Sequence, residues 1–272
     1  MRSNLPHKLP YTQMTYQELN TLALWQQMPT ITLDEMSAIK LMNRIDTKFV
    51  LDDERCLELL QRAVGEYSVQ IIDDIRACRY ETLYYDTADY DMYRCHHNQQ
   101  LTRQKIRTRT YVESKITFIE VKNKTNKGRT KKKRIRLPEE YFARVADHAP
   151  AAEFLTERAN YAPEEVMPAL KTSFDRITLV NKARTERLTI DMNLRFENVR
   201  GKKGEVGLDG LVIVELKQDG MCHSPMKDIL LDLRVKPMKV SKYMLGTVLS
   251  DAEVKRNRYK AKVRLIEKAI NQ

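Results

Sequence analysis

Four stretches of the chain place cationic side chains on alternate residues. They are Arg44-Ile45-Asp46-Thr47-Lys48, Lys105-Ile106-Arg107-Thr108-Arg109, Glu120-Val121-Lys122-Asn123-Lys124 and Lys132-Lys133-Arg134-Ile135-Arg136. Successive side chains of a β-strand point to opposite faces, so each stretch, read as a strand, carries a row of Lys or Arg on one side. Rows of like charge facing one another repel unless an anion lies between them. A closed barrel whose lumen holds a chain of phosphates meets that requirement. Arg forks grip phosphate oxygens in pairs, and Lys adds mobile point charge.

Acids are interleaved with these cations. Asp46, Glu120, Asp191 and Glu215 fall on the same predicted inner faces. Hard divalent cations take carboxylate and phosphate oxygens together, so a few acids among many bases suit a metal–phosphate complex. A purely basic groove would suit a nucleic-acid backbone better. The competing reading is that each acid only pairs with a neighbouring Lys or Arg.

The elements that must position these residues are legible in outline. The chain has 272 residues, 42% of them hydrophobic, enough to bury a core, and 48 Lys+Arg against 37 Asp+Glu, a formal charge of +11. That excess favours polyanionic partners. Gly is scarce, and neither a Walker A sequence nor a dinucleotide fingerprint is present. Cys56, Cys78, Cys95 and Cys222 are scattered without a C-x-x-C pair, as expected of reduced thiols in a cytoplasmic protein. Met1 to Pro6 lack the apolar core of a signal peptide, and no apolar run approaches the ~20 residues that span a bilayer.

Thr15 and Thr32 start two short helices, and Asp52-Asp53-Glu54 starts a third. Strands are expected over Arg44–Leu51, around Tyr80–Tyr85, over Gln104–Val112, Phe118–Asn123, Lys132–Leu137, Thr172–Val180, Arg187–Phe196 and Leu211–Lys217. In Arg187–Phe196 the alternation sets Leu188, Ile190, Met192, Leu194 and Phe196 on one face and Arg187, Thr189, Asp191, Asn193 and Arg195 on the other. His96-His97 would face opposite ways on a strand and read as a surface or turn pair. From Met226 the chain is helical and ends in a basic helix, which reads as a solvated face that is also free to touch acidic lipid or a partner. The expected fold is α+β: an antiparallel eight-stranded tunnel β-barrel with a charged lumen, packed by flanking helices. Residues 1–40 form an N-terminal helical segment packed on it, and residues 41–272 form the barrel domain with its C-terminal helix.

The order Arg44-x-Asp46-x-Lys48, Tyr84-Tyr85-Asp86-Thr87-x-Asp89, Lys105-x-Arg107-x-Arg109, Glu120-x-Lys122, Arg134-x-Arg136, Glu215-x-Lys217 resembles the triphosphate tunnel metalloenzymes. Within them it is most similar to the catalytic domain of the vacuolar transporter chaperone (VTC) polyphosphate polymerases, a similarity strengthened by Lys239-Val240-Ser241-Lys242 before the last helices. It runs from about Leu41 to Leu249. The resemblance implies transfer of the γ-phosphoryl of ATP to a growing polyphosphate chain, with Mn2+ or Mg2+ as cofactor and no nucleic-acid partner.

Carried over by position, Lys48, Arg107, Arg109, Lys122, Arg134 and Glu215 are the implied catalytic residues. Arg44, Lys105, Lys124, Arg136, Arg176, Arg187, Lys217, Lys239, Ser241 and Lys242 are implied to bind substrate. Glu215, Glu120 and Asp46 are implied metal ligands. Triphosphatase members open with Glu-x-Glu-x-Lys where this chain has Arg44-x-Asp46-x-Lys48. The lost carboxylate weakens the hydrolase reading. The alternatives are a tunnel-fold triphosphatase or nucleotide cyclase, and a non-catalytic polyphosphate or nucleic-acid binder. Like charges in an empty lumen repel, so removing Arg107 and Arg109 is expected to leave the unliganded protein no less stable.

Overall fold

A computed structural model describes residues 13–39, 41, 44–127, 130–201 and 203–271. The segment Met1–Pro6 lies outside them. The first elements are α1 (Tyr16–Asn20), β1 (Thr30–Ile31), α2 (Leu33–Ala38), β2 (Arg44–Leu51), α3 (Asp53–Ala63) and β3 (Tyr67–Gln70). Then come β4 (Ala77–Asp86), α4 (Asp91–His97), β5 (Arg103–Tyr111), β6 (Ile116–Lys124), β7 (Thr130–Arg136) and α5 (Ala149–Arg158). The last part holds β8 (Met167–Asn181), β9 (Glu186–Asn198), β10 (Val206–Gly207), β11 (Val212–Asp219), α6 (Pro225–Asp232), α7 (Lys242–Ser250) and α8 (Asn257–Ile270). No helix among the described residues is long and apolar enough to cross a membrane.

Eight strands form the curled path of one sheet in the order β2-β11-β9-β8-β4-β5-β6-β7, with β3 and β10 added on β8 and β9 and β1 on β3, and every pairing along the path is antiparallel. Among the described residues no pairing joins β2 to β7, so the sheet curls into a half-barrel with β2 and β7 as its lips. Alternation decides which side chains line the concave face. Leu188, Ile190, Met192, Val212, Val214 and Leu216 point outward into a core filled by Cys56, Leu59 and Leu60 of α3 and by Met226 and Leu230 of α6. Leu19 and Trp25 of the N-terminal helices join that core. Outward residues of β5 and β6, Ile106, Ile119 and Val121, pack under Phe154 and Leu155 of α5.

The helices start where the sequence provides caps. Thr15 and Thr32 each make a capping box with the Glu three residues on. The Asp52 carboxylate accepts from the Arg55 N–H at 2.7 Å to open α3.

Two expectations are corrected here. Leu194 and Phe196 do not share a face with Leu188, Ile190 and Met192. The β8–β9 register shifts between Ser173 and Asp175, and Asn193 takes a φ of 53°. That bulge inserts one residue and turns the rest of β9 over. Leu194 and Phe196 therefore face inward, where they pack with Leu170, Tyr84, Tyr243, Met244 and Val248. One end of the concave face is thus apolar and filled by α7, with Tyr259 and Ile266 of α8 against the same cluster. His96-His97 lie in α4 rather than on a strand. His97 is buried, its ring stacked at 6.0 Å from Tyr93 and 6.1 Å from Tyr259.

The seat of α7 is tight. A Cβ on Gly246 would lie 2.4 Å from Phe196 Cδ1 and 2.7 Å from Leu170 Cδ2. Overpacking of this kind costs about 1–3 kcal/mol. Gly246→Ala is expected to lower the urea unfolding midpoint accordingly, and an unchanged midpoint would mean that α7 does not depend on this contact.

Candidate functional site

The charged half of the concave face is built from cross-strand rows. Across β5, β6 and β7 the register sets Arg103 opposite Lys124, and Lys105 opposite Lys122 opposite Lys132. The next rows are Arg107–Glu120–Arg134 and Arg109–Phe118–Arg136. Like charges directly opposite one another destabilise a sheet, and two successive rows of this wall are wholly cationic at those positions. The register also settles β7: Lys132, Arg134 and Arg136 face inward, whereas Ile135, between Arg134 and Arg136, packs on the outer cluster.

Glu120 is the acid of this wall. It is only 1% exposed, with Arg107 Nη2 at 2.6 Å and Lys132 Nζ at 3.0 Å. Burial works to raise its pKa, but Arg107, Arg109 and Lys132 overcome that and hold it far below the usual carboxylate range. Arg107 also reaches the Tyr84 hydroxyl at 3.5 Å, while Tyr85 turns outward and donates to the Phe142 carbonyl. Arg107 is therefore the partner of a buried acid. Its removal would leave Glu120 short of a counter-charge, which works against the neutral or stabilising outcome expected for removing Arg107 and Arg109 together. Arg109 differs: its Nε donates to the Thr82 hydroxyl at 3.0 Å, and no carboxylate among the described residues lies within ion-pair distance.

The facing wall, β2, β11, β9 and β8, alternates in sign. Register pairs Lys48 with Glu215, Asp46 with Lys217, and Arg176 with Asp191. Glu215 lies 2.7 Å from Lys217 Nζ and 3.6 Å from Lys48 Nζ. Burial opposes its ionisation, and Lys217 and Lys48 reverse that, holding it well below the carboxylate range. Asp46 pairs at 2.7 Å with Arg44 at the exposed end of β2. Arg176 grips Asp191 with Nε at 2.5 Å and Nη2 at 2.8 Å, and Lys242 closes on the same carboxylate. Arg176 also stacks over Tyr80 at 4.8 Å and Phe174 at 5.2 Å.

The N-terminus of α7 meets both walls. Lys105 Nζ donates to the Ser241 hydroxyl at 2.8 Å, and Lys48 Nζ to the Val240 carbonyl at 3.3 Å. Ser241 caps the helix, so its free N–H groups add positive potential where the cationic rows converge. Lys239 beside it is exposed. Two residues stand apart from this convergence. Arg187 donates through Nη2 to the Met36 carbonyl at 2.7 Å, which ties it to α2 at the Arg44 end. Asp86, from the tyrosine-rich motif, is buried and accepts from the Met92 and Tyr93 N–H groups and from the Tyr243 hydroxyl; it fastens α4 and α7.

Metal chemistry meets a sparse donor set. No group of three His, Cys, Asp or Glu among the described residues is placed to hold an ion. Glu120 is closed off between Arg107 and Lys132 and only 1% exposed, whereas Glu215 is 21% exposed. Glu215 and Asp46, diagonal across the β2–β11 pair, fit a cation that arrives on phosphate and needs only one or two carboxylates, the ordinary manner of Mg2+.

The profile of one protein family, the VTC domain, matches residues 43–250. The chain belongs to the VTC domain family. No curated protein sequence matches the VTC chain. Among solved structures it is similar to an adenylate cyclase candidate from Vibrio parahaemolyticus, with 12% identity, 76% of this chain and 99% of that chain covered, and a TM-score of 0.42. It is similar also to an adenylyl cyclase candidate from Hippeastrum described as having a dominant triphosphatase activity, with 14% identity, 77% and 98% coverage, and a TM-score of 0.49.

Reading by spacing left several residues of this charged face unassigned. Lys132 already heads one of the alternating stretches, and Arg103 follows from extending another by one step. Asp191 was visible as an inner-face acid. Thr82, Tyr80 and Phe174 carried no charge to mark them.

The crowding leaves a signature in pH. Burial and then the nearby Arg107 pull Lys122 down to about 8. Burial pulls Lys242 down to about 8 as well, against the pull of Asp191. Lys122 keeps solvent contact, so screening makes its share the smaller. Between about pH 8 and the ordinary lysine value of 10.5, the unfolded chain holds more protons than the folded one. Stability of the unliganded protein therefore gains from these lysines as pH rises through that window. A bound polyanion reverses the crowding, so tripolyphosphate binding at pH 8.5 should take up protons. Calorimetry in two buffers of different ionisation enthalpy measures this; proton release or no exchange would contradict it.

Proposed function

We propose that this VTC domain is an ATP-dependent polyphosphate polymerase. The observation that carries the reading is the β5–β6–β7 wall. From Arg103 to Arg109 it runs about 20 Å at ordinary strand rise, room for a phosphate chain, and Glu120 is its one acid among the inward residues. A chain laid there would satisfy Arg103, Lys105, Lys122 and Lys124, which have no carboxylate at ion-pair distance among the described residues.

Phosphoryl transfer needs positioning and charge neutralisation more than covalent help. The terminal oxygen of the polymer attacks the γ-phosphorus of ATP, the bond from that phosphorus to the β-bridging oxygen breaks, and ADP leaves with the electron pair. The acceptor is already ionised, so no general base is required. Arg107, oriented by Glu120, and Arg109, oriented by Thr82, would hold the oxygens of the transferred group. Lys48, Lys122 and the α7 N-terminus with Ser241 and Lys242 would hold its neighbours, and Arg134 and Arg136 would draw in the chain from the β7 lip. Arg176 and Lys217 would keep Asp191 and Glu215 aligned. A Mg2+ or Mn2+ ion, when bound, neutralises phosphate charge; Glu215 with Asp46 would be its protein ligands. Glu120 has the different part of positioning Arg107.

Asp46 and Glu215 also favour a second reading, a tunnel-fold triphosphatase in which water is the acceptor. Arg44 weighs against it, since a cation paired to Asp46 occupies the place of an acid. ATP turnover is expected to yield ADP and phosphate chains with little free phosphate at early times, read by gel electrophoresis beside a phosphate assay. Arg44→Glu should move the partition toward free phosphate. Stoichiometric phosphate release without polymer would select the triphosphatase reading.

Glu215→Gln keeps the shape of the side chain while deleting its charge. It should abolish most turnover across a metal titration while the fold persists. Wild-type turnover in this variant would remove Glu215 from the site.

A further inference from the structure

Four aromatic side chains cross the concave face as a belt: Phe174 of β8, Tyr80 of β4, Tyr111 of β5 and Phe118 of β6. Ring centroids lie 5.3 Å apart from Phe174 to Tyr80, 4.9 Å from Tyr80 to Tyr111 and 5.9 Å from Tyr111 to Phe118. Phe174 and Tyr80 are buried and packed in the apolar cluster. The belt opens at its other end, where Tyr111 and Phe118 are half-buried.

Phe118 is the odd member. It stands on the inner face of β6 between Arg109 of β5 and Arg136 of β7, in a row that is otherwise cationic. It cannot hold a phosphate. Core packing does not account for it either, since it belongs to none of the buried clusters among the described residues. What covers it is Arg134, whose guanidinium lies 4.1 Å from the ring centroid and donates to the Tyr111 hydroxyl at 3.4 Å. Arg134 is itself exposed. A half-open ring under a planar cation is the chemistry that takes a flat π-system.

Position joins this ring to the phosphate site. Phe118 lies one row beyond Arg107–Glu120–Arg134, about 7 Å along the strand, a gap that a ribose bridges. At the other end of the wall the rows are Lys105–Lys122–Lys132 and Arg103–Lys124, suited to phosphate alone. Phosphate also competes for Arg134, because a charge-assisted hydrogen bond outweighs an exposed cation–π contact. A triphosphate on Arg107 and Arg109 would draw the guanidinium off Phe118 and bare the ring.

We propose that the nucleobase of the phosphoryl donor stacks on Phe118, on the face that Arg134 covers. The nucleoside then lies at the Tyr111–Phe118 end of the wall, and its phosphates run toward Arg107 and Lys122. This rests on the reading of the site as an ATP-dependent polymerase and adds how the adenosine is held. The phosphates that Arg134 and Arg136 draw in at the β7 lip are the nucleotide's.

The test titrates the intact protein by calorimetry with two ligands, the β,γ-imido analogue of ATP and inorganic tripolyphosphate. Phe118→Leu keeps an apolar side chain and removes the ring, whereas Phe118→Tyr keeps the ring. Phe118→Leu should weaken the analogue at least about fivefold, or ~1 kcal/mol, and leave tripolyphosphate within about twofold. Phe118→Tyr should hold both ligands near wild-type affinity. Equal weakening of both ligands by Phe118→Leu would make the ring a support of the phosphate site, and unchanged affinity for both would put the base elsewhere. Either result overturns the proposal, as does a Phe118→Tyr variant that loses the analogue as fully as Phe118→Leu. Wild-type protein that binds tripolyphosphate but not the analogue also overturns it and leaves the phosphate site standing. If the wild type binds neither, the phosphate reading itself fails and the stacking inference falls with it.

Discussion

The constraint on which the rest depends is the run of like-charged neighbours on the inner face of β5, β6 and β7. Lys105, Lys122 and Lys132 stand directly opposite one another, with Arg103 opposite Lys124 in the next row. A sheet gains nothing from such pairs. Burial adds to the cost: Lys105 is driven well below the ordinary lysine range by desolvation and by Lys48, Lys122 and Arg107. The remaining structure supplies the stability that this face withholds. The outward faces of β5 and β6 pack on α5, those of β9 and β11 pack on α3 and α6, and α7 fills the apolar end of the concave side.

The two walls divide the work. The β2–β11–β9–β8 wall is nearly self-neutralised, since Glu215, Asp46 and Asp191 each face a cation at short range. On the proposed reading it is the wall that would accept a cation carried by the substrate. The β5–β7 wall has its charge balanced only at Glu120, and there the balance fixes the Arg107 guanidinium beside Tyr84. On that reading a phosphate chain would complete the second wall without disturbing the first. Binding and stability are thereby opposed, as expected where a site is built ahead of its ligand.

Much of this was legible in the residues. Strand β2 runs over Arg44–Leu51 as the alternation implies, and the inner-face placement of Lys105, Arg107, Arg109, Lys122 and Glu215 follows from period two alone. What escaped was set by backbone irregularity and by long-range partners. The bulge at Asn193 adds one residue, so a clean alternation through Phe196 gave the wrong face for Leu194 and Phe196. The His pair reads alike on a strand or a helix, and its place in α4 is decided by burial of His97 against Tyr93 and Tyr259. Arg187 alternates correctly yet is drawn to the Met36 carbonyl, a residue 151 positions away. Whether a given acid serves a metal or an arginine cannot be read from spacing. Glu120 and Glu215 look alike in sequence and each meets two cations; burial separates them, with Glu120 1% and Glu215 21% exposed.

The central claim is that the cations of the β5–β6 wall are held for a phosphate chain at a cost to the unliganded fold. Paired thermal unfolding and tripolyphosphate titration of the Lys105→Met/Lys122→Met double variant test it most directly. The account predicts a higher melting temperature without ligand and an affinity lower by at least about tenfold, or ~1.4 kcal/mol. A lower melting temperature with unchanged affinity would show these lysines to be structural and would contradict it.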